Sequence, residues 1–106
     1  MVRVIVEHFL KSGEDAEKLV AVIYQLRAEA MKRPGYITGE AIINSEDPAN
    51  VLVISTWNKE EQWRAWDKSE LRISITKQML PLLREPYKIS IYNFALVKAG
   101  RVSSLV

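Results

Sequence analysis

The sequence contains no cysteine and only one histidine among its 106 residues. Without cysteine there is no disulfide, no thiolate nucleophile and no thiolate ligand for a metal. A single histidine then leaves a structural zinc site without enough ligands, so we predict no metal. The chain also has no internal repeat, low-complexity run or linker, and we expect one folded domain.

The net charge is small as well, and long hydrophobic runs are absent from the sequence. The net charge of +2 is too small to indicate nucleic acid or an anionic membrane as a partner. No signal peptide or long apolar span is visible, so we expect a cytoplasmic protein with no membrane contact. Hydrophobic residues make up 48% and charged residues 26%, which is typical of a globular domain with a modest core.

Four segments have the apolar patterns of β-strands. Turn residues over 44–50 predict that the third segment folds back on the second as a hairpin. In the second segment, simple alternation places Tyr36 and Thr38 on one side and Ile37 and Gly39 on the other. The four segments are Val2–Leu10, Tyr36–Ile43, Val51–Trp57 and Tyr87–Leu96.

Helical patterns lie between these strands. An apolar stripe from Ala16 to Ala30 predicts a helix that ends at Pro34-Gly35. Asn58 is expected to cap a short helix, with Glu61 completing a capping box. Ser69 is expected to cap a further helix that Pro81 ends or bends. The residues of that helix expected to face inward are Leu71, Ile75, Met79 and Leu82.

The order strand, helix, strand, strand, helix, strand predicts an α+β fold. Its arrangement is the ferredoxin-like βαββαβ sandwich, in which helices cover one face of a four-stranded antiparallel sheet. We assign this domain to residues 1–96. Residues 97–106 show no clear period and are expected to form a tail without a domain of their own.

The second face of the sheet is apolar too. A hydrophobic patch of that size is unusual on a soluble monomer, so we predict a homodimer in which two sheets pack face to face. Glu7, Glu40, Arg3 and Lys88 on this face must pair with one another or lie at its rim. The apolar residues expected there are Ile5, Phe9, Ile42, Tyr92 and Phe94, with either Leu52 and Ile54 or Val51 and Val53.

Five short motifs in order resemble the antibiotic biosynthesis monooxygenase domain family of dimeric α/β-barrel proteins. The resemblance extends over about residues 2–95 and implies a ferredoxin-like dimer with a pocket between each sheet and its own helices. It also implies cofactor-free oxygenation of a small, flat, quinol-like aromatic molecule. The motifs are Val6-Glu7-His8-Phe9-Leu10-Lys11, Arg33-Pro34-Gly35-Tyr36, Ser45-Glu46-Asp47-Pro48, Ser55-Thr56-Trp57 and Trp63-Arg64-Ala65-Trp66-Asp67-Lys68-Ser69.

Other branches of that family fit the sequence less well. The haem-degrading branch uses an asparagine, a tryptophan and a histidine; Trp66 matches, but His8 and Thr76 occupy the other two positions. Haem degradation therefore ranks below the cofactor-free interpretation. The quinol-oxidising branch has histidines in the region of Ser69 to Arg72, where this chain has none, and this weakens a specific quinol assignment.

His8, Trp63 and Trp66 are the candidate site residues. His8 is either a buried histidine with a hydrogen-bond partner or a general base at the pocket wall. A base is needed because a phenol or enol must lose a proton before it gives an electron to oxygen. Trp63 and Trp66 share one helical face and either fill the core or bind a flat substrate; the family position favours Trp66. Trp57 is interpreted as packing, and Arg64 and Arg72 as solvated.

Two other classes of function remain alternatives. The same fold can bind a small molecule without chemistry, which predicts ligand-induced quenching of tryptophan fluorescence and no product. RNA-recognition modules share the strand and helix order, but Val51–Trp57 lacks their exposed aromatic stacking platform. We therefore expect a small-molecule ligand and no nucleic acid.

Overall fold

A four-stranded antiparallel sheet with helices on one face forms the body of the chain. The computed structural model describes residues 1–98 and 101–104. The strands lie in the order β2-β3-β1-β4, which confirms the predicted ferredoxin-like fold. They are β1 (Val2–Phe9), β2 (Tyr36–Ile43), β3 (Asn50–Trp57) and β4 (Lys88–Asn93).

Three helices pack on the sheet, namely α1 (Ala16–Ala30), α2 (Glu60–Asp67) and α3 (Glu70–Thr76). A 3₁₀ turn whose first amides are capped by the Ser12 hydroxyl precedes α1, the Glu14 N–H donating to Oγ at 3.2 Å. Leu19, Val22, Ile23, Leu26 and Ala30 form the buried stripe of α1. In the part of the chain described, no helix is long and apolar enough to cross a membrane.

The side of β1 that faces the helices is buried over its whole length. Val2 and Val4 have no exposed surface, and His8 is only 2% exposed. Each β1 residue is paired on one side with β3, and His8 lies opposite Val51. Because paired residues point to the same face, Val51 and Val53 face the helices, whereas Leu52 and Ile54 face away. The register thus decides between the two sets left open by the sequence.

An irregularity in β2 changes the face of its first residue. Tyr36 pairs with Trp57 and Thr38 pairs with Thr56, so Ile37 is an extra residue between them. Such a bulge breaks strict alternation. The prediction that Tyr36 and Thr38 share a side is therefore wrong, and Tyr36 lies on the helix side with Trp57.

The outer face of the sheet carries the apolar residues that the sequence places there. Ile5 lies opposite Ile54, and Glu7 lies opposite both Leu52 and Lys88. Ile42 and Tyr92 are 45% and 58% exposed. Ile5, Leu52 and Ile54 on this face are partly exposed.

Two helix details differ from the prediction. The cap of α2 is Lys59 rather than Asn58, and Gln62 Oε1 accepts the Lys59 backbone N–H at 3.0 Å. Ser69 caps α3 as expected, its Oγ accepting the Arg72 backbone N–H at 3.2 Å. The helix is rotated relative to the prediction, because Leu71 is exposed whereas Arg72 is buried together with Ile75, Thr76 and Met79.

The last strand is also shorter than predicted. β4 ends at Asn93, and a separate two-stranded ladder follows, in which β5 (Ala95–Lys98) pairs antiparallel with β6 (Arg101–Ser104). Most of this ladder lies in the segment expected to be a tail without a clear period. The assignment of residues 97–106 to no separate domain remains a prediction.

Candidate active site

A pocket lies between the sheet and its helices, and its lining brings His8, Trp63 and Trp66 together. The cavity volume is about 60 Å³. This is below the roughly 300–1,000 Å³ of pockets that enclose a drug-sized ligand, so a fused-ring ligand requires the pocket to widen. Most of the lining is apolar or aromatic, which suits a flat and poorly hydrated ligand.

The mouth of the pocket lies between α1 and the edge strand β2. Tyr24 and Arg27 of α1 and Glu40 of β2 are the exposed members of the lining. β2 is hydrogen-bonded to a neighbouring strand on one side only. The open side of the pocket therefore lies at this edge of the sheet.

His8 stands on the floor of the pocket with one ring nitrogen engaged. Nδ1 lies 3.2 Å from the Val51 carbonyl oxygen, and because a carbonyl only accepts, Nδ1 carries the proton. Nε2 is then the nitrogen with the free lone pair. Within residues 1–98 and 101–104 no hydrogen-bond partner lies at Nε2. The Tyr87 ring is 5.7 Å from the imidazole, centroid to centroid.

The electrostatic environment keeps this imidazole neutral. Burial lowers the pKa of His8 below its ordinary value of 6.5, with a smaller lowering from the positive charge of Arg72. The hydrogen bond to Val51 partly offsets both by raising it. At neutral pH His8 is thus an uncharged base, the form that removes a proton from a substrate.

Aromatic residues in edge contact form one wall of the pocket. The Trp57 ring lies between Tyr36 and Trp63, with centroid distances of 5.4 Å and 5.9 Å. Trp57 and Trp66 are almost completely buried. The tryptophans therefore both fill the core and line the cavity. Trp57 joins the site, although the sequence indicates only packing for it.

Arg72 lines the pocket, although a charged residue at this position predicts a solvated side chain. Its side chain is buried, its Nε donates to Asp67 Oδ1 at 3.1 Å, and its Cζ lies 5.0 Å from the centre of the Trp63 ring. Arg64 is solvated as predicted and pairs with Glu60 at 2.7 Å. The missed signal is the helical spacing of Arg72 with Thr76 and Met79, which marks the buried side of α3.

Two hydroxyl groups of the pocket wall are incompletely paired. Tyr36 Oη is buried and lacks a hydrogen-bond partner among the described residues. Ser55 Oγ accepts the Trp57 indole N–H at 3.0 Å; within the same residues its own proton has no acceptor. No group of three or more potential metal ligands occurs in the described part of the chain.

Comparison with known proteins identifies the family. The model of the family described as antibiotic biosynthesis monooxygenase matches residues 1–72. The chain therefore belongs to the antibiotic biosynthesis monooxygenase family, the one it resembles in sequence. No curated protein matches the chain in sequence.

Solved structures share the fold at low sequence identity. A Nitrosomonas europaea protein that carries the family's name has a TM-score of 0.78 at 16% identity, covering 89% of this chain and 98% of that one. A conserved protein from Methanosarcina mazei has 0.77 at 21% identity, covering 86% and 89%. A mutant of SnoaB, a cofactor-independent oxygenase from Streptomyces nogalater, has 0.77 at 10% identity, covering 88% and 91%.

Proposed function

We propose that this chain is a cofactor-independent monooxygenase that oxidises a small, flat, quinol-like or polycyclic phenol between its sheet and helices. The observation that carries the proposal is His8, whose Nδ1 is held by Val51 O and whose Nε2 is left as a base in an aromatic pocket. The family and the likeness to the SnoaB fold support the same chemistry.

The substrate supplies all the electrons in this reaction. Nε2 of His8 takes a proton from the substrate C–H or O–H, and the resulting anion transfers an electron to oxygen. The two radicals combine into a carbon-bound peroxide, which takes the proton back from His8. Loss of the second hydrogen from that carbon, as the O–O bond breaks, gives a carbonyl and water. One CH₂ and one O₂ thus become one C=O and one H₂O.

The other residues stabilise the anionic stages. The buried Arg72 guanidinium supplies a positive charge near His8, and in a site of low dielectric a fixed charge stabilises an anion far more than it does in water. The indole rings of Trp63 and Trp66 pack on the flat substrate. The apolar lining keeps water from competing for the base.

Oxygen uptake with a panel of quinols and anthrones tests the proposal. His8→Gln keeps a donor for Val51 O but lacks a base, so kcat is expected to fall about 10²–10⁴-fold. Normal turnover in this variant would remove His8 from the mechanism. Quenching of tryptophan fluorescence by the panel, without product, would instead support the alternative of a binding module. A Soret shift on haem titration would favour the haem-degrading branch.

The assembly we propose is a homodimer through the outer faces of the two sheets. Ile5, Ile54, Leu52 and Ile42 share that face, as the register requires. Burying apolar surface contributes about 25 cal/mol per Å², so a patch of this kind favours association. The mouth lies at the sheet edge, so each subunit keeps its own entrance.

A further inference from the structure

We infer that the pocket has a second polar subsite, formed by the hydroxyls of Tyr36 and Ser55, which binds an oxygen of the substrate remote from His8. The inference rests on the proposed function in taking this pocket as the substrate site. It narrows the substrate to an elongated molecule of two or three fused rings with an oxygen at each end.

The unpaired hydroxyl of Tyr36 is the first observation. Burying a hydroxyl without a partner is unfavourable, and the great majority of buried polar groups avoid it. The ring is held edge-on against Trp57 with an interplanar angle of 90°. The bulge at Ile37 is what brings Tyr36 to the pocket side. The structure therefore holds in place a hydroxyl that no described residue satisfies.

The position of Ser55 is the second and independent observation. A Cβ on Gly39 would lie 2.5 Å from Tyr36 Oη, which places this oxygen directly over Gly39. Gly39 pairs with Ser55, and paired residues have their Cβ positions about 4.5–5.5 Å apart. Tyr36 Oη therefore lies beside the strand residue that pairs with Ser55, and the two hydroxyls do not bond each other. The inferred ligand oxygen lies between them and accepts from both.

The register also gives the separation from the base. Gly39, Ser55 and Val4 lie in one row across the sheet, and His8 lies in a row four residues further along β1. At about 3.3 Å per residue the rows are roughly 13 Å apart. Two hydrogen bonds of about 2.8 Å then leave roughly 8 Å between the two ligand oxygens, which is the span of two fused aromatic rings.

Access to the subsite requires a small movement of the edge strand. Tyr36 Oη is closed to water, although the Tyr36 side chain lines the pocket. β2 has a neighbour on one side only and is already irregular at this point. The inference therefore includes a local shift of β2 near Gly39 that opens the hydroxyl to the ligand.

Calorimetric titrations under nitrogen test the subsite without turnover. The probes are 2-hydroxynaphthalene, 2,6-dihydroxynaphthalene and 2,7-dihydroxynaphthalene. Both diols carry one oxygen on each ring. In the 2,6-isomer the two C–O bonds point in opposite directions, whereas in the 2,7-isomer both incline toward the same long edge of the ring system. We expect the 2,6-isomer to bind about fivefold more tightly than either of the other two.

The variants assign this preference to a residue. The measured ratio is the Kd of the 2,7-isomer divided by the Kd of the 2,6-isomer. Tyr36→Phe is expected to reduce this ratio to about one, and Ser55→Ala to reduce it in part. Tyr24→Phe, which removes an exposed hydroxyl at the mouth, is the matched control and leaves the ratio unchanged. The Tm of ligand-free Tyr36→Phe should stay the same or rise, since the lost hydroxyl has no partner.

Three results would overturn the subsite: equal binding of the three probes, no binding of any, or a preference that survives Tyr36→Phe. A Tm that falls in Tyr36→Phe would also contradict it, because the hydroxyl would then have a structural partner. Failure of the proposed function looks different, since oxygen uptake is absent while the 2,6-preference remains. If oxygen uptake is normal and the preference is absent, only the subsite fails.

Discussion

His8 and Val51 are joined across two neighbouring strands by a hydrogen bond of 3.2 Å from Nδ1 to the carbonyl oxygen. The pairing of β1 with β3 places the two residues directly opposite each other. Because a backbone carbonyl cannot donate, this contact fixes one tautomer of the imidazole. The basic nitrogen is thereby set by the sheet register and not by another side chain.

The first prediction concerns stability and pH. The pKa of His8 is lowered in the folded chain, so below its ordinary value of 6.5 the unfolded chain binds the proton more readily. The contribution of His8 to the free energy of unfolding is fully present above pH 6.5 and decreases as the pH falls toward the pKa of His8 in the folded chain. The free energy of unfolding changes by at most about 1.4 kcal/mol per pH unit for one proton. Thermal melts between pH 5 and 8 measure it.

The control for that experiment is His8→Gln, which has no titrating group at this position. Its Tm is expected to lose the part of the pH dependence that begins near 6.5. The carboxylates titrate at lower pH in both proteins. An identical pH profile for the two proteins would show that His8 is not the group responsible.

The second prediction concerns Arg72. Arg72→Met removes the guanidinium that bonds Asp67 and covers the Trp63 ring. Loss of one charged hydrogen bond is expected to lower stability by about 1–3 kcal/mol. The acidic limb of the rate profile should move to higher pH, because the positive charge no longer lowers the pKa of His8. Urea melts and oxygen uptake from pH 5 to 8 measure the two effects.

Arg64→Met provides the comparison for Arg72. Arg64 forms an exposed ion pair with Glu60 at spacing i, i+4, and such pairs contribute only about 0.3–0.5 kcal/mol. Its stability and pH profile should match the parent chain within error. Equal effects of the two substitutions would contradict the assignment of Arg72 to the site.

The third prediction concerns the outer face of the sheet. Ile54→Lys places a charge opposite Ile5 in the proposed dimer contact, where an unpaired charge is costly to bury. Light scattering on a dilution series should give a dimer for the parent chain and a monomer for this variant. Ile73→Lys, at an exposed position of α3, should remain dimeric. A parent chain that is monomeric at micromolar concentration would refute the contact.

The fourth prediction concerns Gly39. A methyl group there would lie 2.5 Å from Tyr36 Oη, so Gly39→Ala should cost about 1–3 kcal/mol through overpacking. Tyr36→Phe removes the contacting oxygen, and the double variant should recover most of the loss. Urea melts of the four proteins give the coupling energy. Additive effects would mean that Gly39 and Tyr36 do not interact.

The sequence predicts the fold well because its signals are local and repeated. Alternation in β1 and the helical stripe of α1 each involve several residues that agree with one another. The register is not predicted in the same way, because β3 is apolar on both sides and the sequence leaves its inward face open; the pairing of His8 with Val51 decides it. The order of the strands confirms the predicted fold.

The site is harder to predict because single residues decide it. One extra residue at Ile37 moves Tyr36 to the pocket side, and no pattern of alternation reports a bulge. Arg72 is missed because a charged residue is ordinarily assigned to solvent, and burial becomes possible only through contacts with Asp67 and Trp63 that are made in the folded chain. Gly35, whose φ is 88°, shows the opposite case: it forms the turn that the sequence indicates at Pro34-Gly35, although α1 itself already ends at Ala30.

The placement of the mouth beside edge strand β2 determines how the proposed twin subunits share their work. In the proposed dimer, substrate and product would pass the edge of each sheet while the outer faces of the two sheets stay in contact. Neither subunit would then have to leave its partner during a catalytic cycle, and the two pockets would fill independently. Turnover per chain is thus expected to be independent of whether the neighbouring chamber is occupied.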